Sequence, residues 1–228
     1  MPSFLLIAHA VAGSIMLITG MVAMLSAKGR KYHRVSGISY AWSTAFVGLS
    51  GFIIAVQTSN QFLIATSVFV TYMMVTAYRS LYLKQLHKVV KAQAIDKLII
   101  CISVVAASYL LVLGGYGISK GNYAGTVPLV FGIICARFVA GDIRKFTKGP
   151  ADKKHWLYNH IAGMVGSYIG GTTAFLAVNA QFFTNDFQVW IWLVPTVVGT
   201  PYIIYNIRKY KEGKRTLDRV ALTKGNAE

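Results

Sequence analysis

Residues 156–180 read WLYNHIAGMVGSYIGGTTAFLAVNA. The stretch contains no Asp, Glu, Lys or Arg and is apolar or small almost throughout. As a helix rising about 1.5 Å per residue it exceeds the roughly 30 Å of a hydrocarbon core. Gly163, Gly166, Ser167, Gly170, Gly171 and Ala174 recur at three- and four-residue spacing, a face on which helix backbones can approach closely. One ionisable group, His160, stands near its start. The stretch predicts a central, buried membrane helix carrying a single imidazole.

The rest of the chain agrees. Of 228 residues, 55% are hydrophobic and 13% charged, against about 25% charged in soluble proteins. Apolar segments fall at about 4–27, 36–57, 61–83, 98–118, 123–144, 156–180 and 188–207. The expected fold class is all-α: a polytopic bundle of seven transmembrane helices forming one domain over 1–207, followed by a basic tail, 208–228. Cys101 and Cys135 lie inside apolar runs and read as small buried hydrophobes, not as a disulfide framework. Met1-Pro2-Ser3 offers no basic leader and the first apolar run is too long for a signal peptide, so none is expected.

A net charge of +16 in a soluble protein would suggest nucleic acid, but here the cations sort by side. Lys28, Arg30, Lys31 and Arg34, then Lys84, Lys88, Lys91 and Lys97, then Lys145, Lys148, Lys153 and Lys154, then Arg208 onward fall in alternate connections and the tail. The opposite connections hold Lys120 alone. The positive-inside rule places the basic connections and the carboxyl terminus in the cytoplasm and the amino terminus outside. The expected partners are therefore the bilayer and the anionic lipids of the cytoplasmic face, with no nucleic acid.

Small residues also line the first segment (His9, Gly13, Met16, Gly20) and the second (Gly37, Ala41, Thr44, Gly48, Gly51), which predicts close packing of these two on each other or on the sixth. Gly114-Gly115-Tyr116-Gly117 reads as a break closing the fourth. Pro195 and Gly199-Thr200-Pro201 predict a kinked or locally unwound seventh. Trp190 and Trp192 at one end, and Trp156 and Tyr158 at the other, read as interfacial anchors.

Ionisable groups at membrane depth are costly and mark candidate sites. By helical rise, His9 lies roughly 8 Å below the outer surface and His160 roughly 6 Å above the inner one, so about 16 Å separates them. They cannot share a metal or a haem iron, and His9 stands apart as an outer-side candidate. His33, His155, Arg137, Asp142 and Arg79 can lie level with His160.

Three readings compete for that inner group. In the first, His33 or His155 with His160 supplies imidazole nitrogens to a haem or divalent metal, while Arg137 and Arg79 hold a carboxylate or phosphate. In the second, His33, His155, His160 and Asp142 form a zinc-hydrolase centre. The ceramidase type of seven-helix hydrolase shares the orientation, but its paired His at four-residue spacing is absent, and His155 and His160, five apart, point to different faces. In the third, the arginines snorkel to headgroups, His160 bonds a neighbouring helix, and His33, His87 and His155 are wet loop residues. No P-loop, GxSxG or CxxC is present. The seventh segment has no lysine for a retinal Schiff base, and the paired in-span histidines of a two-haem cytochrome are missing.

His9-Ala10-Val11-Ala12-Gly13-Ser14 through Gly20, followed by Lys28-Gly29-Arg30-Lys31-Tyr32-His33-Arg34-Val35-Ser36-Gly37, resembles the opening of a bacterial family of multi-pass membrane proteins, domain of unknown function 2306. The shared pattern is a first-helix His with small residues below it, then His-Arg, two residues and Gly opening the second helix. It covers about the first 55 residues. His160-Ile161-Ala162-Gly163-Met164 and 195–201 (PTVVGTP) are also similar. Ala92-Gln93-Ala94-Ile95-Asp96-Lys97 departs from the His-Arg-rich start of a middle helix in some members. The resemblance implies a bacterial inner-membrane protein, points to His9, His33 and His160, and brings no activity with it.

The functional expectation is a membrane protein that binds a small ligand or cofactor, haem or divalent metal and redox-linked among the options, at the His/Arg cluster near the cytoplasmic leaflet. A non-enzymatic accessory or scaffold subunit of a larger membrane complex is the alternative, and a small-solute transporter the third.

Overall fold

The computed structural model describes residues 3–150, 152–180 and 189–225, the side chains of Ser3 and of 213–225 aside. Its helices are α1 (Ser3–Leu25), α2 (Lys31–Gln57), α3 (Gln61–Ser80), α4 (Ala94–Ser119), α5 (Thr126–Thr147), α6 (His155–Ala180) and α7 (Val189–Gly225), with a short 3₁₀ turn, Tyr123–Gly125, before α5. There is no strand among the described residues. Of these helices, α1 to α6 are each long and apolar enough to cross a membrane, the architecture of a multi-pass membrane protein. The expected connection 181–187 and the last tail residues, 226–228, lie outside the described residues.

α2 and α4 start outside their apolar runs because their first turns are polar. α4 begins at Ala94, not near 98: the Asp96 carboxylate accepts from the Gln93 N–H at 2.9 Å, one half of a capping box. The Gly114–Gly117 run does not break α4, which continues to Ser119. Its glycines serve close approach instead. A Cβ on Gly114 would lie 2.6 Å from the Leu129 Cα of α5. The expected unwinding at Pro195 and Pro201 is also absent, since α7 stays helical through both.

α3 is the hub of the bundle. It packs on α2, α4 and α6 and touches α5, while α6 lies between α3 and α7 and touches α1. The sixth segment is thus less central than its apolar, glycine-lined sequence predicts. One core joins α3, α4 and α5 through Phe69, Tyr72, Leu110, Phe131 and Cys135, and a second gathers Met16, Tyr40 and Met74 between α1, α2 and α3. Cys135 is buried as expected, but Cys101 is exposed on α4. On α2, Tyr40 donates to or accepts from Ser167 of α6 at 2.7 Å.

The glycine face of α6 meets α3. A Cβ on Gly163 would stand 2.6 Å from both the Ala77 Cβ and the Met73 carbonyl oxygen, closer than any side chain can sit. At the same end, Lys84 lies 4.9 Å over the Trp156 ring and Lys211 of α7 5.2 Å over Tyr158. Gly149, at φ +75°, tucks under Val90, a conformation a β-carbon would strain. The α3–α4 and α5–α6 connections and the basic stretch of α7 therefore share one end of the bundle, called the basic end below.

Gly163→Val is expected to lower the thermal midpoint of the detergent-purified protein sharply. Gly13→Val, where nothing lies within 4 Å of the added atom, should leave it within the error of a fluorescence-detected size-exclusion melt.

Candidate functional site: the imidazoles of the basic end

The helix ends create the site. The last carbonyls of a helix have no intrahelical partner, and at the basic end histidines supply one. His33, on the first turn of α2, donates its Nδ1–H to the Ala23 carbonyl near the end of α1 at 2.9 Å. Lys28 binds the same end, donating to Ala23 at 3.1 Å and to Met24. Lost hydration of its ammonium there lowers the Lys28 pKa below the usual lysine value. His160 donates its Nδ1–H to the Ala77 carbonyl near the end of α3 at 3.2 Å. The His33 and His160 rings meet edge to face, with centroids 6.5 Å apart.

A second pair lies nearby. His155 opens α6 and donates its Nδ1–H to the Asp152 carbonyl at 3.1 Å; His87, in the α3–α4 connection, donates to the Lys84 carbonyl at 3.0 Å. Their rings are also 6.5 Å apart. A carbonyl can only accept, so a ring in its neutral form that bonds one through Nδ1 carries its proton there and a lone pair on Nε2; the Leu83 backbone also lies against the His155 ring. This orientation by a backbone carbonyl is the one metal-ligating histidines use.

The remaining sequence candidates separate from these rings. Arg137 is exposed on α5 and makes no hydrogen bond or ion pair among the described residues, consistent with a snorkelling side chain. Arg79 is already engaged: its Nε and one Nη donate to the two Asp96 oxygens at 2.6 and 3.0 Å, and Nη also reaches Gln93 at 2.7 Å. The guanidinium therefore clamps α3 to the start of α4 instead of facing a ligand. Asp142 accepts from Lys145 at 2.6 Å and from the Tyr72 hydroxyl at 2.8 Å, and both charged residues are buried. A cavity of about 10 Å³ lies between the two ion pairs, bordered by Thr76, Arg79, Asp96, Asp142 and Lys145, a volume at the lower limit for one water.

His155 points to a different partner from His33 and His160, as its five-residue offset predicts. Among the described residues no three His, Cys, Asp or Glu side chains converge as a metal set, so the triad His33, His155 and His160 is not assembled. His9 lies towards the other end of the bundle, between α1 and α2. Its Nδ1–H donates to the Ser50 hydroxyl at 2.8 Å, which passes its own proton to the Phe46 carbonyl at 2.7 Å.

His87, Lys145, Asp96 and Tyr72 are absent from the sequence candidates. Gln93 and Asp96 carry a readable capping-box spacing, and Asp142 and Lys145 an i,i+3 spacing on one helix face. For His87 no signal exists, because the fold of an irregular connection brings it to α6. Neither a family model nor a curated protein nor a solved structure matches the chain, so geometry alone carries the functional reading.

Removing one partner of a buried ion pair strands the other charge. Asp142→Asn and Lys145→Met should each destabilise the purified protein by about 3 kcal/mol. The double variant should cost clearly less than the sum, read from unfolding curves in detergent.

Proposed function

We propose that this is a bacterial inner-membrane protein of seven crossings, amino terminus outside and carboxyl terminus cytoplasmic, that holds a small ligand or metal-centred cofactor between His33 and His160. One observation carries this reading. The two rings approach to 6.5 Å while each spends its Nδ1–H on a helix-end carbonyl, which leaves two Nε2 lone pairs with no hydrogen bond among the described residues. Neutral imidazole nitrogens in that state suit a divalent transition metal or a haem iron. The clustering of basic connections at the same end supports a cytoplasmic position, and the resemblance of the first 55 residues or so to a bacterial membrane family supports the setting.

A second reading, an accessory subunit of a larger complex, draws on α1. Phe4, Ile7, Val11, Ile18 and Leu25 are exposed along it, an apolar flank that suits a partner's helix as well as lipid.

Absorption spectra and metal analysis of the purified protein test the main reading. His160→Asn is the informative variant, because the Asn amide can still donate to the Ala77 carbonyl while the Nε2 ligand is gone. A bound chromophore or stoichiometric metal that is lost in His160→Asn at unchanged thermal midpoint is expected. Wild-type protein with neither would refute it. Stoichiometric copurification of another membrane protein, with full tolerance of His160→Asn, would favour the accessory subunit.

A further inference from the structure

His155 is buried, at 8% exposure, and its Nε2 has no hydrogen-bond partner. Buried polar atoms are nearly always satisfied, so this orphan calls for an explanation. Its Nδ1 faces the Asp152 carbonyl at 3.1 Å, and the Leu83 backbone also lies against the ring; with the proton on Nδ1, the orphan Nε2 is a lone pair and needs a proton donor or a cation. The neighbouring His87 ring stands 6.5 Å away and is half-buried, with its own Nδ1–H committed to the Lys84 carbonyl. Neither ring can donate to the other without giving up its backbone bond.

We infer that His87 and His155 form a site for one divalent transition-metal ion of the kind that seeks imidazole nitrogen, at the mouth of the basic end, with water completing the coordination. Zinc–imidazole bonds of about 2.0–2.1 Å put each ring centre about 3 Å from the ion, so two rings sharing an ion lie about 5–6 Å apart. The observed ring spacing of 6.5 Å lies just outside that range. His155 is the first residue of α6 and His87 lies within the α3–α4 connection, half-buried, so an ion from the aqueous phase would enter on the His87 side. The cations that border the site are already engaged. Lys145 is bound to Asp142 and Lys84 lies over Trp156. Hard cations are not expected there, since the paired ligands are nitrogens and not oxygens. This site is separate from the His33–His160 pair and stands or falls independently of it.

Zinc titration of the full-length, detergent-purified, metal-stripped protein provides the test, with Co²⁺ absorption as a second readout of nitrogen ligation. His87→Asn and His155→Asn should each remove one equivalent of Zn²⁺, or weaken its binding at least tenfold, and Mg²⁺ should not compete. Acidification through the imidazole range should release the same equivalent, because both ligands must be unprotonated. His33→Asn should leave that equivalent in place. His87 lies in a connection, so its variant keeps the test valid if His155→Asn fails to fold. Zinc binding that is unchanged in His87→Asn, or absent from the parent protein, would overturn the assignment.

Discussion

The contact on which the rest depends is the approach of α6 to α3 at Gly163. With no β-carbon there, the α6 backbone settles against Ala77 and the Met73 carbonyl. Within lipid, packing and hydrogen bonding replace the hydrophobic effect as the force between helices. The same approach brings His160 within 3.2 Å of the Ala77 carbonyl, an acceptor in the last turn of α3. Close backbone packing and the orientation of the imidazole are thus one event. It leaves His160 facing His33, whose own position is fixed by the end of α1.

Charge is handled in the same economical way. Arg79 with Asp96, and Lys145 with Asp142 and Tyr72, neutralise each other across α3, α4 and α5. These groups clamp three helices near the basic end and leave the imidazoles as the ring nitrogens with unused lone pairs. The division is chemically sensible: the fixed charges are paired with one another, and the imidazoles are held by backbone carbonyls.

The membrane class, the helices and many of the small-residue contacts were legible because hydropathy and three- and four-residue spacing act locally along one helix, although Gly13 and Gly37, expected on packing faces, meet nothing within 4 Å. The meeting of His33 with His160 was legible for a related reason, since depth along two known segments put both rings at one level. Depth alone says nothing of azimuth. Arg137 shares the level, yet it lies on the outward flank of α5, and Arg79 is claimed by Asp96 from a helix start that hydropathy placed too late. His87 could not be read at all, because its approach to His155 follows from the path of an irregular connection. The prolines of α7 mislead in part: of the kinked or locally unwound helix they predicted, the unwinding does not occur, since α7 is helical through both.

Paired cysteines report the central geometry directly. In a background with Cys101 and Cys135 replaced by Ala, His33→Cys with His160→Cys should be joined by a short bifunctional thiol reagent in native membranes, while His9→Cys with His160→Cys should not. Equal cross-linking of both pairs, or none in the first, would contradict the proposed meeting of α1, α2, α3 and α6 at the basic end.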